Sequence, residues 1–205
     1  MKLYYSPGAC SLSPHIILHE GGFSFNTEKV DFATKKTAIG TDYLSVNPNG
    51  YVPALVLDNG YILTEGPAII QYLADQVPEK KLAPPAGTIE RYPLMQWLNF
   101  ISTELHKGFS PLFNTHAPAE WKTIVAAQLE RRLNTVSHQL EGKIWLMGPE
   151  FTVADAYLFT VLNWGKHVGI EIDRWPVLKG YQGRVFERPA VRAAMDTEGL
   201  LQPAS

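Results

Sequence analysis

The 205-residue chain reads as an α/β domain followed by an all-α domain. Three observations lead there. The first 80 residues alternate short apolar runs with helical segments and contain an Asp58-Asn59-Gly60 turn. A stretch with Pro78, Pro84, Pro85 and Gly87 then interrupts every periodicity. Beyond it, helical spacing is the pattern that recurs. The expected division is a first domain over 1–80, a linker over 81–87 and a helical bundle domain over 88–205.

Each element has its own signal. Leu3-Tyr4-Tyr5 is a short apolar run closed by Pro7-Gly8, a buried strand. Residues 10–20 follow as a helix, with Leu12, Ile16, Ile17 and His19 in partial periodicity. Pro14 is tolerated there because the first turn has no partner for its missing N–H. Gly21-Gly22 ends the helix by offering a residue able to take a left-handed conformation. Residues 25–32 alternate weakly, as a strand does. Residues 47–50, Asn-Pro-Asn-Gly, form a loop. The apolar runs 54–57 and 61–63 flank Asn59-Gly60, the strongest short-range hairpin signal. Residues 67–76 make a helix. The order is βαβ followed by ββα on one small sheet, the element order of the thioredoxin-like fold. In the second domain, helical spacing covers 88–107, 119–140, 153–166 and 175–187.

Composition narrows the function. Lys plus Arg number 18 and Asp plus Glu 20, a net charge of −2. Such a chain is poorly suited to wrapping nucleic acid or an anionic membrane, and nothing in its charge opposes self-association. A single cysteine excludes an internal disulfide, and no Cys/His cluster has the spacing of a zinc site. No apolar run is long enough for a membrane span or a signal peptide, so the expectation is a soluble, cytoplasmic protein without a metal site.

Cys10 sits where the first strand hands over to the first helix. Free N–H groups and the positive end of the helix dipole there favour thiolate. The position three residues on is Ser13, so the available chemistry is that of one thiol, or of a site for another molecule's thiolate. The bland alternative is a small residue packed between strand and helix. Tyr5 and Ser11 are neighbouring hydroxyls that could donate to a thiolate. In Gly50-Tyr51-Val52-Pro53, proline precedes an apolar strand. A cis bond there would present the Val52 N–H and C=O to an extended ligand; a trans bond would make a plain turn. In Thr64-Glu65-Gly66-Pro67, Glu65 opens a helix, either stabilising its first turn or holding a ligand ammonium beside the Gly66 N–H. Asn99, Thr103 and His106 recur at helical spacing, opposite Leu94, Leu98, Ile101 and Leu105. That uncharged polar face is solvated or lines a site. Lys107-Gly108 is expected to end the helix. Thr152 with Asp155 resembles a capping box, a structural device.

Together these segments resemble a cytosolic glutathione transferase, most closely of the bacterial beta class. The resemblance covers essentially the whole chain. It rests on Cys10, the 47–55 segment Asn-Pro-Asn-Gly-Tyr-Val-Pro-Ala-Leu, Thr64-Glu65-Gly66, the 103–109 segment Thr-Glu-Leu-His-Lys-Gly-Phe, and the 151–157 segment Phe-Thr-Val-Ala-Asp-Ala-Tyr. It implies a transferase that conjugates glutathione to hydrophobic electrophiles in detoxification, as a homodimer, with glutathione as co-substrate and no cofactor. Cys10 and His106 would be catalytic. Cys10 would contact the glutathione sulfur, and Val52 would pair with the cysteinyl unit beside a cis Pro53. Glu65 and Gly66 would hold the γ-glutamyl end, and Lys35 would approach the glycyl carboxylate. His106 would line the catalytic cleft, with Asn99 and Thr103 on its helix face. Tyr5 and Ser11 complete the expected glutathione set, and Trp164 and Phe113 are candidate walls for the electrophile. One position departs from the wider pattern: Gly66 stands where serine is common, which keeps the N–H and loses a hydroxyl. Two alternatives stay open. One is reductive thiol–disulfide chemistry through a Cys10–glutathione mixed disulfide. The other is a non-enzymatic member of the fold that binds ligands or proteins.

Overall fold

A computed structural model describes residues 1–201. The chain forms two units. One comprises Met1–Lys80 together with the described residues from Glu187 on; the other is Lys81–Phe186.

The first unit is built on a five-stranded sheet of order β3-β2-β1-β4-β5. The strands are β1 (Lys2–Tyr5), β2 (Asn26–Asp31), β3 (Lys36–Thr37), β4 (Ala54–Val56) and β5 (Ile62–Thr64). β1 and β2 run parallel, joined by helix α1 (Leu12–Glu20). β1–β4 and β4–β5 are antiparallel, and Leu3 lies opposite Leu55 with both fully buried. Helix α2 (Gly66–Gln76) follows β5. This is the βαβ-ββα thioredoxin-like order expected from the sequence. The two-residue β3, antiparallel to β2, was too short to leave a pattern. Alternation along β1 sends Tyr4 into a cluster with Val30, Tyr43, Val52 and Ala54. α1 is buried along its whole length from Leu12 to Leu18, and Gly22 (φ +72°) follows its end.

The unit is completed from the far end of the sequence. Helix α8 (Pro189–Thr197), which no periodicity announced, packs on α1 through buried Val191 and Ala194. Arg188 clamps the Glu20 carboxylate with two bonds of 2.5 and 2.9 Å. The reading that gave 88–205 to one helical bundle therefore overextends it. α1 is buried from Leu12 to Leu18 and so needs a cover on more than one side, and α8 supplies one.

The second unit holds α3 (Arg91–Phe100), α4 (Lys107–Phe113), α5 (Ala119–Leu140), α6 (Val153–Leu162) and α7 (Pro176–Phe186). The 81–87 segment is tied into it. Leu82 is buried and its carbonyl accepts from the Val153 N–H, and the Pro84 carbonyl accepts from Arg91. On α5, Val125, Leu129, Leu133, Val136 and Leu140 form the buried stripe that three- and four-residue spacing dictates. Burying each such side chain contributes about 1.5–3 kcal/mol.

Between α3 and α4 the chain does not stop, as the expected end at Lys107-Gly108 implied. It passes through a π-helical stretch, Ile101–His106, and resumes as α4. α6 ends earlier than expected, and a 3₁₀ turn (Gly165–His167) follows. A Cβ on Gly165 would lie 2.3 Å from the Ile170 carbonyl oxygen, so the chain can fold back there only on glycine. Among the described residues, no helix is long and apolar enough to cross a membrane.

Candidate active site

In the first unit the site is set largely by backbone. Residues 6–9 close a turn, with the Ala9 N–H donating to Ser6 O, and Cys10 follows two residues before α1. Cys10 is a half-buried thiol whose Sγ lies 3.1 Å from the Val52 carbonyl oxygen. The Val52–Pro53 bond is cis. Two side chains fix the loop before it: the Tyr43 hydroxyl and the Asn47 amide both donate to the Tyr51 carbonyl at 2.7 Å. Burial pushes the Tyr43 phenol up to about 12, against the opposing hydrogen bond with Asn47, so it stays a donor. Sequence reasoning quoted Asn47 as loop and as part of the 47–55 segment, without a role for its side chain, and missed Tyr43. An Asn in an Asn-Pro-Asn-Gly turn was the available signal, since its side chain can bond backbone nearby.

Lys35 reaches the same loop. Its ammonium donates to the Gly50 carbonyl at 3.0 Å and lies 5.4 Å from the Phe32 ring centroid. Glu65 is exposed and takes φ +67°, a region a non-glycine residue occupies at a cost of about 1–3 kcal/mol. Its carbonyl accepts from the Ala68 and Ile69 N–H groups, so the carboxylate precedes the first turn of α2. A Cβ on Gly66 would lie 3.9 Å from Pro53 Cγ and 4.0 Å from Ser13 Oγ. Cys10, Val52, Pro53 and Gly66 are thus brought together, with Lys35 on the adjoining loop.

Ser11 and Tyr5 are placed differently. The Ser11 hydroxyl donates to Ser6 O and accepts from the Ser6 N–H, which braces the turn. The Tyr5 ring packs against His15 at 5.7 Å. Burial, then Glu198 and Glu28, raise its phenol pKa, so it is not a source of phenolate. Behind this turn lies a group that the sequence did not reveal. The fully buried Glu198 side chain accepts from the Gly8 N–H at 2.8 Å and meets His15 Nδ1 at 2.8 Å. No local signal could have found it across that separation in sequence.

In the second unit, the expected polar face divides at the π-helical stretch. A π turn holds more residues than an α turn, so three-residue spacing no longer keeps side chains in register. Asn99 and Thr103 are exposed, and the Thr103 hydroxyl donates to the Asn99 carbonyl at 3.0 Å. His106 instead turns inward, its Nδ1 2.7 Å from the Tyr157 hydroxyl. Trp164 packs edge-on against His106 at 4.8 Å, Phe109 at 5.9 Å and Phe113 at 6.1 Å. Burial, with Lys107 beside it, pushes the His106 imidazole down to about 4. A surface cavity of about 220 Å³ adjoins Thr103, floored by Trp121 and Leu129. Among the described residues, no group of three His, Cys, Asp or Glu side chains could hold a metal ion.

A half-buried thiol at a strand-to-helix junction, facing a cis-proline loop on a thioredoxin-like sheet, defines a thiol-handling protein. Residues 1–75 match the glutathione S-transferase N-terminal domain and residues 100–189 the C-terminal domain of that family. The chain is 50% identical to glutathione S-transferase GstA of Escherichia coli O157:H7, over 98% of this chain and 100% of that one. Its fold is similar to that of BphK, a bacterial GST solved as a ternary complex, with 60% identity and a TM-score of 0.96 over 98% of this chain and 100% of that one. It is also similar to the beta-class glutathione S-transferase of Sphingomonas chungbukensis: 49% identity and a TM-score of 0.95 over 98% and 100% of the two chains. The chain belongs to the glutathione S-transferase family, and its structural neighbours are bacterial beta-class members.

Proposed function

We infer that this protein is a glutathione transferase that conjugates reduced glutathione to hydrophobic electrophiles. The observation that carries the reading is the contact between Cys10 Sγ and the Val52 carbonyl, beside cis Pro53 and Gly66. An extended peptide-like ligand pairs with the Val52 backbone as with a sheet edge. That brings a ligand thiol to Cys10, near the start of α1. Glu65 and the Gly66 N–H take the γ-glutamyl ammonium and carboxylate, and Lys35 takes the glycyl carboxylate. His106 is the catalytic residue of the second unit, and Asn99 and Thr103 are its polar binding residues. Trp164 and Phe113 wall the electrophile.

Bound glutathione releases its thiol proton to solvent. The thiolate then attacks an electrophilic carbon; a C–S bond forms, and the bond to the leaving group breaks with its electron pair. The protein supplies donors that favour thiolate, together with orientation and an apolar wall. The active form is a cytoplasmic homodimer, its self-association unopposed by net charge.

Calorimetric titration of glutathione from pH 6 to 8, with product analysis on an aryl halide, tests the reading. Saturable binding with proton release and a thioether product are expected. Absence of binding at millimolar glutathione overturns it. A disulfide product that disappears in Cys10→Ala would make the chemistry reductive instead.

A further inference from the structure

We propose that Tyr157 is a positioning residue for His106: its hydroxyl donates to Nδ1, fixes the imidazole proton on Nε2, and makes His106 a neutral N–H donor rather than a base. The proposal rests on the catalytic role of His106 inferred above and concerns the tautomer in which that role is performed.

The geometry leaves the pair little freedom. Tyr157 is 2% exposed, on a helix whose residues Val153–Leu162 are all buried, and its hydroxyl lies 2.7 Å from Nδ1. Trp164 stands edge-on to the imidazole at 4.8 Å and 75°, which holds the ring plane. The direction of the bond follows from the chemistry of the two atoms. A phenol is a good donor and a weak acceptor, whereas the unprotonated ring nitrogen of imidazole is a much stronger base than a phenolic oxygen. The stronger arrangement is O–H donating to N. With Nδ1 committed as acceptor, the single proton of a neutral imidazole must reside on Nε2, because the partner of one ring nitrogen sets the state of the other. Burial and the neighbouring Lys107 keep the ring neutral, so the imidazolium, with a proton on both nitrogens, does not compete.

A consequence follows for the proton of glutathione. His106 in this tautomer has no free basic nitrogen with which to take it. The proton therefore leaves to solvent when the thiol binds.

The test is ¹⁵N NMR of histidine-labelled protein, with the His106 signals assigned by their loss in His106→Ala, read beside turnover. In the native protein, Nε2 is expected to be pyrrole-type and Nδ1 to be pyridine-type and hydrogen-bonded. Tyr157→Phe is expected to move His106 toward a mixture of tautomers. It should lower kcat about five- to tenfold while leaving KM for glutathione within about twofold. A protonated Nδ1 in the native protein, or an unchanged tautomer in Tyr157→Phe, overturns the assignment; the native spectrum alone decides should the variant not fold. His106→Ala separates this inference from the one beneath it. Unchanged turnover removes the catalytic role on which the proposal stands, whereas reduced turnover with Nδ1 protonated in the native protein overturns the tautomer alone.

Discussion

Among the described residues each unit buries one carboxylate, and the two serve different ends. In the second, Asp155 accepts from the N–H groups of Leu146 and Thr152 and from the hydroxyls of Thr152 and Tyr181. Two of those donors come from the same residue three positions back. In the first, Glu198 accepts from Gly8 and meets His15, residues separated from it by 190 and 183 positions. A buried carboxylate must find donors to offset its lost hydration. Where they are local, it sets the start of a helix. Where they are distant, it ties the end of the chain to the turn that carries Cys10. Asp155 therefore acts on the architecture of its unit, and Glu198 acts on both architecture and site.

Truncating each carboxylate is the sharpest way to break this contrast. Asp155→Ala strands several buried donors at once, and a loss of about 3–5 kcal/mol in denaturant unfolding is expected. Glu198→Ala removes the buried carboxylate that the Gly8 N–H and His15 bond, with an expected loss of about 2–3 kcal/mol. The variants should part company in glutathione binding, measured where both remain folded. Glu198→Ala frees the turn before Cys10 and should weaken binding about three- to tenfold, since small misplacements of a site are costly. Asp155→Ala should leave the dissociation constant within about twofold. Equal effects on binding would erase the distinction.

The same contrast explains what could be read from sequence. Asp155 was legible because a capping box is written in residues three apart, and the order of the first unit was legible because each strand, turn and helix signal is local. Glu198 and α8 were not, because they acquire their roles through packing on α1 from the other end of the chain. Cys10 and the Val52-Pro53 step announced themselves by type and position, but proline alone left cis and trans open. The polar face of Asn99, Thr103 and His106 was legible only as spacing. Helical spacing assumes an α backbone, whereas Ile101–His106 is π-helical and His106 meets Tyr157 and Trp164 while Asn99 and Thr103 are exposed. The positive φ of Glu65 had no signal at all, since glycine is the residue that marks such positions.

A smaller effect is expected from pH, and it belongs to the second unit. The folded-state value of about 4 for His106 lies below the 6.5 of an exposed imidazole. Above about pH 6.5 the ring is neutral in both folded and unfolded chains, and its contribution to stability is complete. As pH falls from there toward 4, the unfolded chain binds a proton that the folded chain does not, so stability declines through that window. Comparing the pH dependence of unfolding in the native protein and His106→Ala isolates this slope. Its absence from the difference would mean that His106 is hydrated and titrates like an exposed histidine. The imidazole resonances should likewise titrate well below 6.5.

The smallest expected effect tests whether binding and stability can be separated within the first unit. Gly66 offers an N–H at the start of α2 without the hydroxyl that a serine would add. The space for that side chain exists: a Cβ there would meet Pro53 Cγ at 3.9 Å and Ser13 Oγ at 4.0 Å, both ordinary van der Waals distances. The site is buried but not overpacked, and Gly66 is not among the glycines with positive φ, so serine enters without backbone strain. A hydroxyl beside the first N–H groups of the helix gives a carboxylate ligand one more donor. A typical added hydrogen bond is worth about 1 kcal/mol after exchange with water. Gly66→Ser should therefore tighten glutathione binding about threefold to fivefold while moving unfolding stability by less than about 0.5 kcal/mol. Glu198→Ala loses stability and affinity together because it acts through the fold. Gly66→Ser should change affinity alone because it acts only at the ligand. Weaker binding in Gly66→Ser would mean that the γ-glutamyl carboxylate does not lie at the start of α2, and the placement of glutathione along Glu65 and Gly66 would have to be abandoned.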